Sequence, residues 1–316
     1  MNIASIAVIG VGGVGGFFGG KLCQLQNHGT GFNISFVARG RHLQAIRESG
    51  LLLSTESDGE LVCKPGLATN DFQRLPPLDL CLICVKEFDL AAVLSQLEPR
   101  IADDTIVLPL LNGVDVYSRV RTVIENGVVM PACVYVGTHI ERPGRIVQKG
   151  GACKILFGPD PKRQDFAPHE VVKVFDQAGI QSEWTPSIQA EIWKKFMFIC
   201  AYGLVSAAHG KTLGEILEND VLRGDVQAIM TEINSLAMGS GVCLPDDIVE
   251  MSLSKARHFP FEAKTSFQRD FELMNRKDER NLFAGSMIRI ADELRIEVPR
   301  TRAVSSLLAK RKPAWP

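Results

Sequence analysis

Three groups of residues in this chain stand where they could do chemistry. Glycines recur as Gly10-Val11-Gly12-Gly13-Val14-Gly15, directly after the apolar run Ile6-Ala7-Val8-Ile9. Lys86 closes the run Leu80-Cys81-Leu82-Ile83-Cys84-Val85, and Asn112 follows Pro109-Leu110-Leu111. Two lysines, Lys194 and Lys195, lie inside the apolar stretch Ile192 to Ile199. The glycine spacing is G-x-G-x-x-G between a predicted strand and a predicted helix, which implies a dinucleotide phosphate site. Gly10 allows the tight turn, Gly12 lets a pyrophosphate approach the backbone, and Gly15 lets the helix pack close to the strand. Gly13 and Val14 open the helix, whose first N–H groups and partial positive charge face the phosphates.

The same stretch indicates which dinucleotide. A site for NAD places an acid about 20 residues past the glycines, on the ribose 2′-hydroxyl. From Gly16 to Arg47 there is no Asp or Glu, and the second predicted strand, Asn33 to Ala38, ends in Arg39-Gly40-Arg41. A guanidinium there suits a 2′-phosphate, so the expected cofactor is NADPH. The alternative is a pair of solvated surface arginines. A nicotinamide cofactor brings the hydride, and for carbonyl reduction the protein must supply a proton donor and donors aimed at the developing alkoxide. A lysine half-withdrawn from water has a lowered pKa and can serve as that acid. Either Lys194 or Lys195 could do so, unless both stems snorkel to solvent. Lys86, at the carboxyl end of a buried strand, points into the cofactor crevice or simply into water. Asn112-Gly113 is a crevice pair or an ordinary turn.

Positioning these groups requires an α/β frame. Strands are expected near 3–9, 33–38, 79–85 and 105–110, alternating with helices near 13–27, 40–49, 87–97 and 114–125. That alternation predicts a Rossmann-type, doubly wound parallel sheet. Further strands near 128–138, 144–148 and 153–157 extend or cover it, with a helix near 168–179 and a strand near 181–184. After Pro186 the periodicity is helical, with segments near 187–208, 219–240, 245–256, 262–275, 279–295 and 300–310. Pro245 and Pro299 stand as helix-start residues would. The expected division is a dinucleotide-binding domain over 1–185 and an all-helical domain over 186–316, with the active site in the cleft between them.

Composition narrows the class. The 316 residues carry a net charge of −1, which argues against a nucleic-acid surface or a polybasic membrane contact. The apolar run from Phe196 to Ala208 is too short to cross a bilayer and reads as a buried helix. The apolar N-terminus lacks the basic region of a signal peptide. Most of the eight cysteines sit in apolar runs, as buried free thiols do, and Cys81 and Cys84 form a C-x-x-C inside a strand, not at a helix start. The six histidines show no ligand spacing, so no metal is expected. The context is reducing and cytoplasmic.

Taken together in order and spacing, several of these features resemble the ketopantoate reductase (2-dehydropantoate 2-reductase) family over nearly the whole chain. They are the Gly10–Gly15 turn, Val37-Ala38-Arg39-Gly40-Arg41, Val85-Lys86, Leu111-Asn112-Gly113, Pro143-Gly144, Trp193-Lys194-Lys195, Thr265-Ser266-Phe267-Gln268-Arg269-Asp270, and Glu279 six residues before Gly285. The resemblance implies NADPH-dependent reduction of a small 2-keto acid, with ketopantoate to pantoate in pantothenate biosynthesis as the leading case. It implies that Lys195 donates the proton, that Glu279 is its acidic partner, and that Asn112 and Lys86 lie near nicotinamide and substrate. Ser266 then helps bind the substrate carboxylate, and Arg39 the 2′-phosphate. A homodimer through the helical domain is a plausible assembly.

The chain departs from the family pattern where substrate is chosen. The family's asparagines four and eight residues after the lysine are Ile199 and Gly203 here, both on the lysine's face of the helix. Ala284 replaces another asparagine before the last glycine, and one inserted residue makes Asp278 a competitor of Glu279 for the acid role. A less hydroxylated 2-keto acid is therefore the alternative substrate, and a non-catalytic NADP(H)-binding sensor the alternative function.

Overall fold

The run before the glycine turn forms β1 (Ser5–Ile9), and the turn leads straight into α1 (Gly13–Asn27). In the computed structural model, which describes residues 3–27, 31–273 and 277–312, the chain divides into two units. One comprises Met1–Leu111 and Val116–Ile188, the other Asn112–Asp115 and Gln189–Pro316.

In the first unit the chain continues through β2 (Asn33–Val37), α2 (Gly40–Ser49), β3 (Leu51–Thr55), β4 (Gly59–Cys63) and β5 (Leu67–Thr69). Then come β6 (Leu80–Ile83), α3 (Glu87–Leu97), β7 (Ile106–Pro109), α4 (Val116–Arg121) and β8 (Val128–Val129). Six strands make a parallel sheet in the order β5-β2-β1-β6-β7-β8. The chain runs outward from β1 through β2 to β5, then restarts at β6 on the other side of β1. The strand order thus reverses between β1 and β6, where a doubly wound sheet opens its ligand crevice. Central strands are apolar throughout because both faces are covered: every residue of β6 and β7 is buried.

Later strands behave differently from expectation. Only Val128–Val129 joins the main sheet. Pro131 cannot donate to a ladder, and the strand expected over 128–138 breaks there. The remainder forms β9 (Ala132–Tyr135), β10 (Thr138–Arg142), β11 (Arg145–Gln148), β12 (Lys154–Phe157), α5 (His169–Gln177) and β13 (Gln181–Trp184). These build a three-stranded sheet, β13-β12-β9, and a four-stranded one, β10-β11-β3-β4. The β3–β4 hairpin and β5 were not expected. In β3 only Leu51, Leu53 and Thr55 are buried, and the hairpin closes through Gly59 at φ +68°. Helix α1 is glycine-rich because it packs against both layers: a Cβ on Gly19 would press on Phe36 and Val8, and Cβ atoms on Gly16 and Gly20 on Ile146 and Leu53.

A buried ionic knot ties the edge of this unit. Arg121 pairs with Asp160, and its guanidinium also donates to the carbonyls of Ile124, Glu125, Asn126 and Gly127. Asp160 accepts from Val129 N at 2.9 Å and from the Tyr117 hydroxyl at 2.8 Å. Burial and then the hydrogen bond to Asp160 push the Tyr117 phenol up to about 12.

The second unit contains only helical elements among its described residues: α6 (Ile188–His209), α7 (Leu213–Glu218), α8 (Asp220–Gly239), α9 (Ile248–Ser254), α10 (Ser266–Glu272), α11 (Ser286–Leu294) and α12 (Pro299–Arg311). α6 carries the apolar run, with Met197, Cys200, Ala201, Tyr202, Leu204 and Val205 fully buried. It is the buried helix expected from sequence, and no helix among the described residues is long and apolar enough to cross a membrane. Thr212 and Glu215 form a capping box on α7. The Glu232 carboxylate of α8 caps α12 by accepting from Arg300 N and Thr301 N at 2.6 and 2.9 Å. Pro299 is the first residue of α12, as expected. Pro245 lies three residues before α9 and starts no helix. α10 is shorter than the helix expected over 262–275, whose last two residues fall outside the described ones.

Candidate functional site

At the carboxyl edge of the parallel sheet, each sequence-singled glycine has a distinct environment. Gly10 follows β1 at φ +92°, and a Cβ there would lie 2.7 Å from Val85 Cγ1 and 2.9 Å from Val85 N. The turn therefore sits against the segment that leaves β6, at the point where the strand order reverses. A Cβ on Gly12 would meet no protein atom within 4 Å, which leaves room for a ligand directly over the backbone. A Cβ on Gly15 would collide with the Gly10 carbonyl oxygen and with Cys84. A Cβ on Gly13 would lie 2.8 Å from Thr138 Oγ1, so its lack of a side chain serves packing against β10. The first turn of α1 contains no acidic residue. An uncrowded glycine, free N–H groups and a favourable helix dipole fit a pyrophosphate held by Gly10, Gly12, Gly13, Val14 and Gly15.

Other members of the crevice follow β2 and β6. Arg39 stands just before α2, with its side chain 74% exposed. Its guanidinium donates to the Asp89 carboxylate, NH2 to Oδ2 at 2.5 Å and NH1 to Oδ1 at 3.4 Å. Lys86 precedes α3 at its N-cap and is exposed. Cys81 and Cys84 are free thiols pushed upward by burial, which fits no redox or zinc role. Among the described residues no cluster of His, Cys, Asp and Glu could hold a metal.

His42, on α2, holds the turn between β10 and β11, and sequence reading missed it. Its Nδ1 accepts from Gly144 N at 3.0 Å, which gives the Pro143-Gly144 motif a structural meaning. Burial lowers its pKa from the ordinary 6.5, and the nearby Val11 backbone works the other way. The unfolded chain therefore binds the proton first as pH falls, so this contribution to stability is lost below about pH 6.5. Thermal melts from pH 7.5 down to 5 should show a steeper loss in the native protein than in His42→Gln. Equal slopes would show that His42 is not responsible.

In the helical unit the structure separates the two lysines. Lys194 Nζ donates to Glu191 Oε1 at 2.9 Å on its own helix. Lys195 Nζ donates to Asn112 Oδ1 at 2.6 Å. Both Lys195 and Asn112 are half-buried. The Asn112–Asp115 segment is held a second time by Arg289, which donates to Asp115 at 2.9 Å. The acid alternative is also separated. Asp278 takes a fork from Arg280, Nε at 2.9 Å and NH2 at 2.8 Å, and lies 3.2 Å from Lys312 Nζ. Burial alone would raise its carboxyl, but the Arg280 and Lys312 contacts hold it below the usual range. Asp278 is therefore committed to a structural knot. Glu279 is buried, 6% exposed, one residue further on. Asn281–Gly285 after it is a π-helical turn, a geometry frequent at functional sites.

Ser266 is the exposed first residue of α10. Ile199 is half-buried and Gly203 fully buried. A Cβ on Gly203 would lie 3.6 Å from Phe267 Cβ and Cδ1, an ordinary contact, so Phe267 borders the position without filling it.

Residues 6–162 match the family described as ketopantoate reductase PanE/ApbA, and residues 187–312 match its C-terminal counterpart. The chain belongs to the ketopantoate reductase family. Its members include a solved PanE/ApbA family ketopantoate reductase from Ralstonia eutropha, 28% identical with a TM-score of 0.86 over 97% of each chain. A 2-dehydropantoate 2-reductase from Mesorhizobium japonicum is 28% identical over 76% of this chain and 78% of its own. An uncharacterized oxidoreductase of Bacillus subtilis, YkpB, is 24% identical over 92% of this chain and 93% of its own. This ketopantoate reductase family member is thus an oxidoreductase on a Rossmann frame.

Proposed function

We propose that the protein reduces a 2-keto acid to a 2-hydroxy acid with NADPH, ketopantoate being the leading substrate. The observation that supports this reading is the Lys195–Asn112 hydrogen bond, which holds the Lys195 ammonium group against the Asn112 side chain. Lys195 then gives its proton to the carbonyl oxygen as negative charge develops there, and Asn112 aims the ammonium group while accepting one of its other protons. Glu279, buried nearby in sequence to the π-helical turn, orients the lysine and the substrate. The Ser266 hydroxyl and the Lys86 ammonium group take the substrate's polar end. Gly10 to Gly15 hold the pyrophosphate and Arg39 the 2′-phosphate. The bound nicotinamide supplies the hydride to C2.

A second reading concerns the substrate. Ile199 is apolar and Gly203 lies under Phe267, so two polar contacts to a hydroxylated substrate are missing. A 2-keto acid with an alkyl group in place of the hydroxymethyl should then compete well with ketopantoate. NADPH consumption, followed at its absorbance band across a panel of 2-keto acids, tests both readings. Ile199→Asn should move the preference toward ketopantoate by about 1–3 kcal/mol in kcat/KM. Gly203→Asn should act in the same direction, with Phe267 bordering the new side chain. Efficient ketopantoate turnover with no gain for alkyl analogues would remove the second reading. Tight NADPH binding without turnover of any panel member would point to a sensor.

A further inference from the structure

Arg39 is the residue on which the expectation of NADPH rests, together with the absence of any acid between Gly16 and Arg47. The fold supplies that acid from elsewhere. Asp89, in the first turn of α3, reaches Arg39 across the sheet edge, with the guanidinium NH2 2.5 Å from Oδ2. The two residues are fifty apart in sequence, and neither is part of the glycine turn. Arg39 follows β2 and Asp89 follows β6, the strands on either side of β1.

We infer that Asp89 is a specificity-determining residue that limits the preference for NADPH over NADH. The inference rests on the reading of Arg39 as the group that meets the cofactor's ribose. A carboxylate at that corner suits a free 2′-hydroxyl, which can donate to it, and a guanidinium suits a 2′-phosphate. Here both stand at one corner. A phosphate that reaches Arg39 meets the Asp89 charge a few ångströms further on, and like charges at that separation repel. The phosphate must also take donors that Asp89 already uses. NADH pays neither cost. Arg39 is largely exposed, so its pair with Asp89 is weak enough to yield to a phosphate and strong enough to tax it.

Equilibrium binding of NADPH and of NADH to the full-length protein tests this without any turnover. Asp89→Asn keeps the shape and removes the charge. It should raise the NADPH-to-NADH affinity ratio by about tenfold, as expected for one unit charge a few ångströms from a phosphate near the surface. Asp89→Ala should move the ratio in the same direction. Arg39→Ala should weaken NADPH and leave NADH nearly unchanged. If Arg39→Ala is selective and neither Asp89 variant moves the ratio, the role given to Asp89 is wrong and the cofactor reading stands. If Arg39→Ala weakens both cofactors alike, Arg39 does not read the phosphate and both fall together. Thermal melts of the variants confirm that each is folded when titrated.

Discussion

Lys195→Ala lowers turnover by about 10²–10⁴-fold and leaves NADPH binding close to native, the loss expected on removing a positioned general acid. Lys194→Ala has little effect, because its ammonium group is held by Glu191 on its own helix. The contrast is sharp because the two lysines are chain neighbours and equally helical. They differ in the direction each points, and only Lys195 meets Asn112. Asn112→Ala should cost turnover as well, since the ammonium group loses its acceptor. Steady-state kinetics with NADPH and the best 2-keto acid read all three variants. Exchanged results for the two lysines would place the acid on the wrong face of α6.

The second large effect is on stability. Asp160→Ala leaves the Arg121 guanidinium buried without its counter-charge, and also strips an acceptor from Val129 N and from the Tyr117 hydroxyl. Breaking one side of a buried pair costs about 3–5 kcal/mol, a large share of the roughly 5–15 kcal/mol that holds a domain together. Replacing both partners with apolar residues of similar volume should recover part of that loss. Urea unfolding followed by circular dichroism measures it. An unchanged midpoint for Asp160→Ala would show that the pair contributes nothing.

The parts of the fold that were legible in the sequence are those written locally. The glycine turn, β1, α1 and β2 follow from one strand, one spacing and one apolar run, and Gly12 has the open space that its role requires. The helical half was legible because α6 is a long apolar run and α8 is long with buried residues at helical spacing. The β3–β4 hairpin was not, because Leu51-Leu52-Leu53 reads as a continuous apolar run although Leu52 is half exposed. Strands over much of β9 to β13 were expected, but not their grouping into two small sheets, because β11 pairs with β3 from a distant part of the sequence.

Within the site, most of the illegible choices rest on partners far away in sequence. No local pattern tells Lys194 from Lys195, since adjacent helical residues differ only in azimuth, and the Asn112 contact that distinguishes them comes from 83 residues away. Asp278 and Glu279 are equally acidic, and Arg280 with Lys312 takes the first of them. Asp89 was invisible to a search for an acid between Gly16 and Arg47, because it reaches Arg39 from another helix. His42 was passed over because its partner, Gly144, lies 102 residues on.

One measurement reaches the central claim most directly. The protein is incubated with a 2-keto acid and NADPH that carries deuterium at the transferable position, and the product is examined by mass spectrometry and proton NMR. Direct reduction predicts a 2-hydroxy acid with the deuterium on C2 and with loss of that deuterium from the cofactor, a yield that Lys195→Ala sharply reduces. NADPH that binds tightly and returns with its deuterium intact, with no 2-hydroxy acid formed from any keto acid tried, would contradict it.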